Sequence, residues 1–155
     1  METDIEKYLH HRKPYLQIDE IIESSLGHIQ TKKFIQETEL YIDGHFPGAP
    51  VVPGAMMQEM CTQSAGVLIA KHYNPMESFD TSDPFHNKMA LGVLRSVKDA
   101  KYYSFAKVGD TLDIHVRLVN HLDNLYKFEG KIYKGDQKIM RIAFSLCNTN
   151  SELLY

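Results

Sequence analysis

Residues 43–54 read Asp-Gly-His-Phe-Pro-Gly-Ala-Pro-Val-Val-Pro-Gly, three prolines and three glycines in one short span. Proline fixes φ and has no amide hydrogen to donate, so neither a helix interior nor a central strand accommodates this run. It predicts a stiff, irregular loop in which the side chains between the prolines are held in place. Directly after Gly54 comes AMMQEMCTQSAGVLIAKHY, the one strong helical stretch of the chain. Met56, Met57, Met60, Cys61, Ser64, Ala65, Val67 and Leu68 cover most of its surface, and a helix that is apolar nearly all round is a buried helix. Ala55, Ser64, Ala65, Gly66 and Ala70 are small enough to let strands pack closely on it.

The remainder is β-like. Residues 3–9 predict a short helix capped by Thr3 or Asp4 and ended before Pro14. From Tyr15 to Ser24 residues alternate with period two, Leu26-Gly27-His28 reads as a turn, and His28 to Glu37 as the returning strand. A polar loop spans 73–87. Further strands are expected at 88–103, 111–120, 125–134 and 137–147, with turns at Val108-Gly109-Asp110 and Lys134-Gly135-Asp136. One helix cannot cover both faces of a sheet. The economical arrangement is α+β, an antiparallel β-sheet wrapped around one long central helix, as a single domain over residues 1–155. Its free sheet edge is available to a second copy.

Bulk properties narrow the function. The chain has 155 residues, 43% hydrophobic and 24% charged, in the ordinary globular range. A net charge of −3 and a pI near 6.2 argue against nucleic acid as the main partner, which requires clustered Lys and Arg. The N-terminus lacks the apolar core of a signal peptide and no stretch reaches membrane-span length, so a cytoplasmic protein with no membrane partner is expected. Cys61 and Cys147 offer neither metal spacing nor a disulfide framework and read as buried small hydrophobes. His10-His11 lacks a third ligand at useful spacing and reads as a surface pair, so no metal is expected.

The loop–helix junction carries the chemistry. His45 sits in the stiff loop. The amide of Gly54 opens the helix without an intrahelical partner and with the positive end of the helix dipole behind it, a donor for an oxygen gaining negative charge. Glu59 lies about one turn in, beside Met56 and Met60, whose burial would surround it with apolar atoms. Gln63, four residues on, shares its face and can orient it.

HFPGAPVVPGAMMQEMCTQSAG closely resembles the signature of the β-hydroxyacyl-[acyl-carrier-protein] dehydratases of the FabZ type, in the FabA/FabZ hotdog-fold family. LHHRKPYLQIDEI resembles the family's N-terminal Pro-His-Arg-x-Pro-Phe element, and VKDAKYYSFAKVGD its turn before a β-hairpin, so the likeness spans most of the chain in order. The resemblance implies a hotdog fold and removal of water from β-hydroxyacyl thioesters on acyl carrier protein, giving trans-2-enoyl thioesters in fatty-acid or related acyl-chain biosynthesis. It implies His45 as base and Glu59 as acid, drawn from different subunits of a homo-oligomer, either a dimer or a trimer of dimers. Gly54 would hold the thioester carbonyl oxygen and the Val51 carbonyl would fix the tautomer of His45. No cofactor is implied beyond the carrier's phosphopantetheine. Glutamate at position 59 matches the FabZ type, since the isomerising FabA type has aspartate there. Three departures stand out: Gln58 replaces an aliphatic residue, Val108 a proline, and the 73–87 loop is long and polar.

Phe46, Met56, Met60, Tyr102, Tyr103 and Phe105 are candidates to line the acyl tunnel, with core packing as the competing reading for each. Arg12, Lys13, Lys71, Arg95, Lys98, Lys101 and Lys107 could meet an acidic carrier protein or serve as solvated charge. Backbone strain is expected at His45-Phe46-Pro47. Two other functions stay open: a hotdog thioesterase or hydratase on acyl-CoA, and a non-catalytic acyl-binding, dehydratase-like partner subunit.

Overall fold

The computed structural model describes residues 3–74, 76, 78–86 and 91–154. Its centre is helix α2, Gly54–His72, 19 residues long. Around it curls a six-stranded antiparallel sheet in the order β1-β2-β4-β5-β6-β3, made of β1 (Glu20–Ser24), β2 (His28–Phe34), β3 (Leu91–Tyr102), β4 (Thr111–Leu122), β5 (Leu125–Lys134) and β6 (Gln137–Thr149). A short helix α1, Leu40–His45, precedes the proline loop. This is the hotdog architecture.

Alternation on the strands places one face against α2. Along β5, Tyr126, Phe128, Gly130 and Ile132 point inward and are buried, while Lys127, Glu129 and Lys131 are exposed. Close approach to the helix needs a glycine: a Cβ at Gly130 would stand 2.9 Å from both Cys61 Sγ and Ile142 Cγ2. Met57, Met60, Cys61, Ala65, Val67 and Leu68 are all at most 3% exposed. Burial pushes the Cys61 thiol up to about 12, so it stays a neutral apolar group. Cys147 differs from expectation and is only half-buried. The polar atoms that α2 carries inward are paired: Ser64 donates to the Met60 carbonyl at 2.7 Å and lies 2.7 Å from the Thr31 hydroxyl.

Several element boundaries depart from the sequence expectation. The N-terminal helix is a single 3-10 turn, Ile5–Lys7, and Asp4 makes no side-chain cap. Strand β1 begins at Glu20, not Tyr15, because the Gln17 amide bonds the Gln63 side chain at 2.7 Å instead of a neighbouring strand. Strand β2 stops at Phe34, where the Asp19 carboxylate takes the Phe34 amide at 2.7 Å. The expected start of β3 at 88 lies outside the described residues. β4 and β6 run two residues further than expected, to Leu122 and Thr149. Among the described residues, no helix is long and apolar enough to cross a membrane.

The entry to α1 is fixed by a buried charge. The Lys33 side chain, 4% exposed, lies 2.6 Å from Glu39 and 3.3 Å from Asp19. Glu39 is the residue that precedes α1. A buried ammonium without its carboxylates is strongly disfavoured, so this pairing sets where α1, and His45 at its end, must start.

Candidate active site

His45 is the last residue of α1, so the irregular loop begins at Phe46, three residues later than the expected 43–54 span. Asp43 and Gly44 belong to the helix because the span holds no proline before Pro47. The expected strain at His45-Phe46-Pro47 is absent: Phe46 is extended, and the left-handed residue of this loop is Gly48, with φ 82°. The loop is rigid through hydrogen bonds. Ala49 donates to the Phe46 carbonyl and Val51 to the Ala49 carbonyl, each at 2.8 Å. Val52 donates to the Ala106 carbonyl at 2.9 Å, and Val51 forms an antiparallel bridge with Lys107.

That rigidity aims the imidazole. His45 Nδ1 lies 3.1 Å from the Val51 carbonyl oxygen, an acceptor only, so Nδ1 carries the proton and Nε2 is left with its lone pair. The ring stacks on Phe46 at 4.0 Å between centroids. At the start of α2, the amides of Met56 and Met57 turn back to the Pro53 carbonyl, and the Gly54 amide lies ahead of this ladder. The Tyr102 ring packs close over Gly54: a Cβ there would stand 2.9 Å from it, so a side chain at 54 would push the ring aside.

The surroundings of Glu59 are polar, which corrects the expectation of a methionine pocket. Met60 is fully buried in the core on another face of α2. Gln63 Nε2 donates to Glu59 Oε1 and Thr62 Oγ1 contacts Glu59 Oε2, both at 2.9 Å. Thr62 Oγ1 is also 2.9 Å from the Glu59 carbonyl oxygen. A hydroxyl has one hydrogen and two lone pairs, so Thr62 can donate to that carbonyl while accepting a hydrogen bond from protonated Oε2, or donate to ionised Oε2 instead. It is compatible with the acid before and after proton release.

Sequence reasoning missed three neighbours of this carboxyl. Thr62 stands three residues on, a helical neighbour position. His11 Nε2 lies 3.9 Å from Glu59 Oε1, and its ring stacks on Tyr15 at 5.7 Å. The adjacent-histidine pair is therefore no featureless surface: His11 faces Glu59, and His10 Nδ1 lies 3.0 Å from the Thr81 carbonyl. Only the tertiary fold brings residues 10–15 beside α2.

Glu59 opens into a cavity of about 460 Å³ that follows one stripe of α2 through Thr62, Gly66 and Ala70 to Asn74. His45 does not line it, and neither do Phe46, Met56, Met60, Tyr102, Tyr103 or Phe105. Phe46, Tyr102, Tyr103 and Phe105 are instead 46–67% exposed. Arg12 is committed to the fold, donating to the Leu9, His11 and Thr81 carbonyls, and Lys71 lies over the Tyr8 ring. Lys13, Arg95, Lys98, Lys101 and Lys107 are exposed.

With this geometry in view, residues 9–143 match the family model of the FabA-like domain. The chain is 31% identical over 145 residues to the 3-hydroxyacyl-[acyl-carrier-protein] dehydratase FabZ of Nitratidesulfovibrio vulgaris, covering 93% of this chain and 88% of that protein. It is 35% identical over 139 residues to the enzyme of the same name from Coxiella burnetii, covering 87% and 89%. Among solved structures, the dehydratase heterocomplex ApeI:P from Xenorhabdus doucetiae superposes with a TM-score of 0.80 at 20% identity, covering 97% of this chain and 93% of that one. The fold also matches a hypothetical thioesterase protein with coenzyme A from Streptococcus pneumoniae, at a TM-score of 0.59 and 14% identity, covering 84% of this chain and 85% of that one. The motif around His45 and Glu59, the hotdog sheet and these likenesses converge: the chain belongs to the FabA-like family, in its FabZ-type dehydratase branch.

Proposed function

We propose that this protein is a hydro-lyase that dehydrates β-hydroxyacyl thioesters carried by acyl carrier protein to trans-2-enoyl thioesters, serving fatty-acid or related acyl-chain synthesis in the cytoplasm. The observation that carries the reading is the 3.1 Å contact of His45 Nδ1 with the Val51 carbonyl, which leaves Nε2 as a base. His45 Nε2 removes the proton α to the thioester carbonyl. The C–H electron pair moves toward the carbonyl oxygen, which gains negative charge and is held by the Gly54 amide. Collapse of that charge forms the α–β double bond and expels the β-hydroxyl, which takes a proton from Glu59 and leaves as water. Gln63 and Thr62 hold the Glu59 carboxyl in place. Two side chains and one amide account for the elimination without a further group.

Among the described residues, the cavity beside Glu59 is not lined by His45, which supports a site shared by two copies, each lending one of the pair. The sheet edge at β3 supports the same reading. Among the described residues it has no strand on its outer side, and β3 exposes Val93, Leu94 and Val97, apolar residues that a second β3 would cover. The test is conversion of a β-hydroxyacyl carrier-protein thioester to the enoyl product, with His45→Ala and Glu59→Gln as controls checked for folding. Activity in the natural protein that both variants lose supports the assignment. A folded, inactive natural protein would shift it to the acyl-binding partner subunit.

A further inference from the structure

The register of the sheet along α2 shows where the far end of the Glu59 cavity lies. Tyr102, paired with Met140, packs on Gly54. Ile142 and Gly130 meet Cys61 one third of the way along. Continuing inward along β6, Phe144, Leu146 and Asn148 follow toward the C-terminal end of α2. From Glu59 to Ala70 the helix rises roughly 16 Å, and the cavity runs this distance between Leu9, Val93, Leu94 and Leu146 before reaching Asn148.

Asn148 is anomalous there. Its inward neighbours on β6, Phe144 and Leu146, are apolar, as the core side of a strand requires. Asn148 is only 7% exposed and lines the cavity. Its backbone is fully used: the amide donates to the Asn124 carbonyl at 2.8 Å, and its carbonyl accepts from Asn124 Nδ2 at 3.1 Å. Among the described residues, its side-chain amide makes no hydrogen bond. The opposite residue on β3 is Gly92, where a Cβ would stand 3.8 Å from Asn148 Oδ1, so the strand carries no side chain to cover it. The amide is not sealed in the core but opens to the cavity, so a ligand that displaces water from it must replace the lost hydrogen bonds.

We propose that Asn148 is a specificity residue at the distal end of the acyl cavity, selecting chains that end in a hydrogen-bonding group, such as a hydroxyl, over chains that end in a methyl. This rests on the reading of the cavity beside Glu59 as the acyl site. A terminal hydroxyl satisfies the amide; a terminal methyl displaces water from it and gives nothing back.

The experiment measures binding of saturated acyl pantetheine thioesters, which carry no β-hydroxyl and cannot turn over, in matched series with a terminal methyl or a terminal hydroxyl. For chains long enough to reach Asn148, the hydroxyl series should bind roughly tenfold more tightly, and Asn148→Leu should erase the difference. Equal binding by the natural protein, or tighter binding of the methyl series, overturns the proposal without reference to any variant. A preference that survives in folded Asn148→Leu overturns the role of Asn148. Turnover of the corresponding β-hydroxyacyl thioesters is measured beside it: a binding preference with no dehydration on any chain defeats the dehydratase reading and leaves the specificity assignment standing.

Discussion

Gln63 Nε2 lies 2.9 Å from Glu59 Oε1 and 2.9 Å from the Tyr15 carbonyl, while its own Oε1 takes the Gln17 amide at 2.7 Å. One side chain, 1% exposed, thus stitches the N-terminal segment to α2 and aims the carboxyl. Gln63→Leu should cost stability and activity together. The Gln17 amide and Tyr15 carbonyl lose their partner, worth about 2–3 kcal/mol. Loss of aim on Glu59 should lower kcat by roughly 10–100-fold. Thermal unfolding and steady-state kinetics check the two separately.

A site shared between two copies has a quantitative consequence. His45→Ala and Glu59→Gln should each be nearly inactive alone. In a twofold dimer assembled at random from both, half of the dimers are mixed, and each of those has one intact site of two. Activity should therefore recover to about a quarter of the natural level after unfolding and joint refolding. No recovery from well-folded mixtures would mean that His45 and Glu59 of one site come from the same chain.

Thr62 has the one-hydrogen hydroxyl that can serve Glu59 with or without its proton. Thr62→Val keeps the shape and removes this service. The expected result is a kcat lowered by roughly tenfold with KM little changed, since the interaction is made with the acid rather than with substrate. Thr62→Ser should restore most of the loss. An unchanged kcat in Thr62→Val would reduce Thr62 to a helix-surface residue.

Histidines make stability pH-dependent. His10, His11, His72 and His115 are each held below the ordinary histidine value of 6.5, with burial the leading cause. For His11 the Glu59 charge pulls the other way, while His10 and Arg12 add to the lowering. In the unfolded chain these rings regain their ordinary proton affinity. As pH falls through that value the unfolded state binds more protons than the folded one. Their contribution is therefore complete above pH 6.5 and is lost below it. The melting temperature should fall between about pH 7 and about pH 5.5, and His11→Asn should flatten that fall.

Gly130→Ala forces a methyl against Cys61 and Ile142, both held by the core. Overpacking there should cost about 2 kcal/mol, or roughly 4–8 °C in melting temperature for a chain of this size. The kcat should hold in the folded fraction, because Cys61 points away from the Glu59 cavity into the core. A Tm unchanged within error would show that β5 can move off α2 freely.

Much of this molecule was legible in its residues. The all-round apolar stretch after Gly54 had to be a buried helix, and period-two alternation with a glycine turn at 135 had to be an antiparallel hairpin, because local periodicity and backbone freedom decide both. The i, i+4 spacing of Glu59 and Gln63 was enough to place one beside the other. Three matters depended on contacts between segments far apart in the chain. His11 and Tyr15 meet Glu59 because Gln63 captures residues 15–17, some 46–48 positions away, and that same capture delays β1 to Glu20. The cavity is bounded by Leu9, β3 and β6, so the aromatic residues chosen from sequence as its walls lie elsewhere, and Met60 belongs to the core. Asn148 reads as an unremarkable strand-end polar residue until the sheet curls and turns it inward. Periodicity is local and sequence carries it; which residues share a cavity is set by the closure of the sheet over the helix.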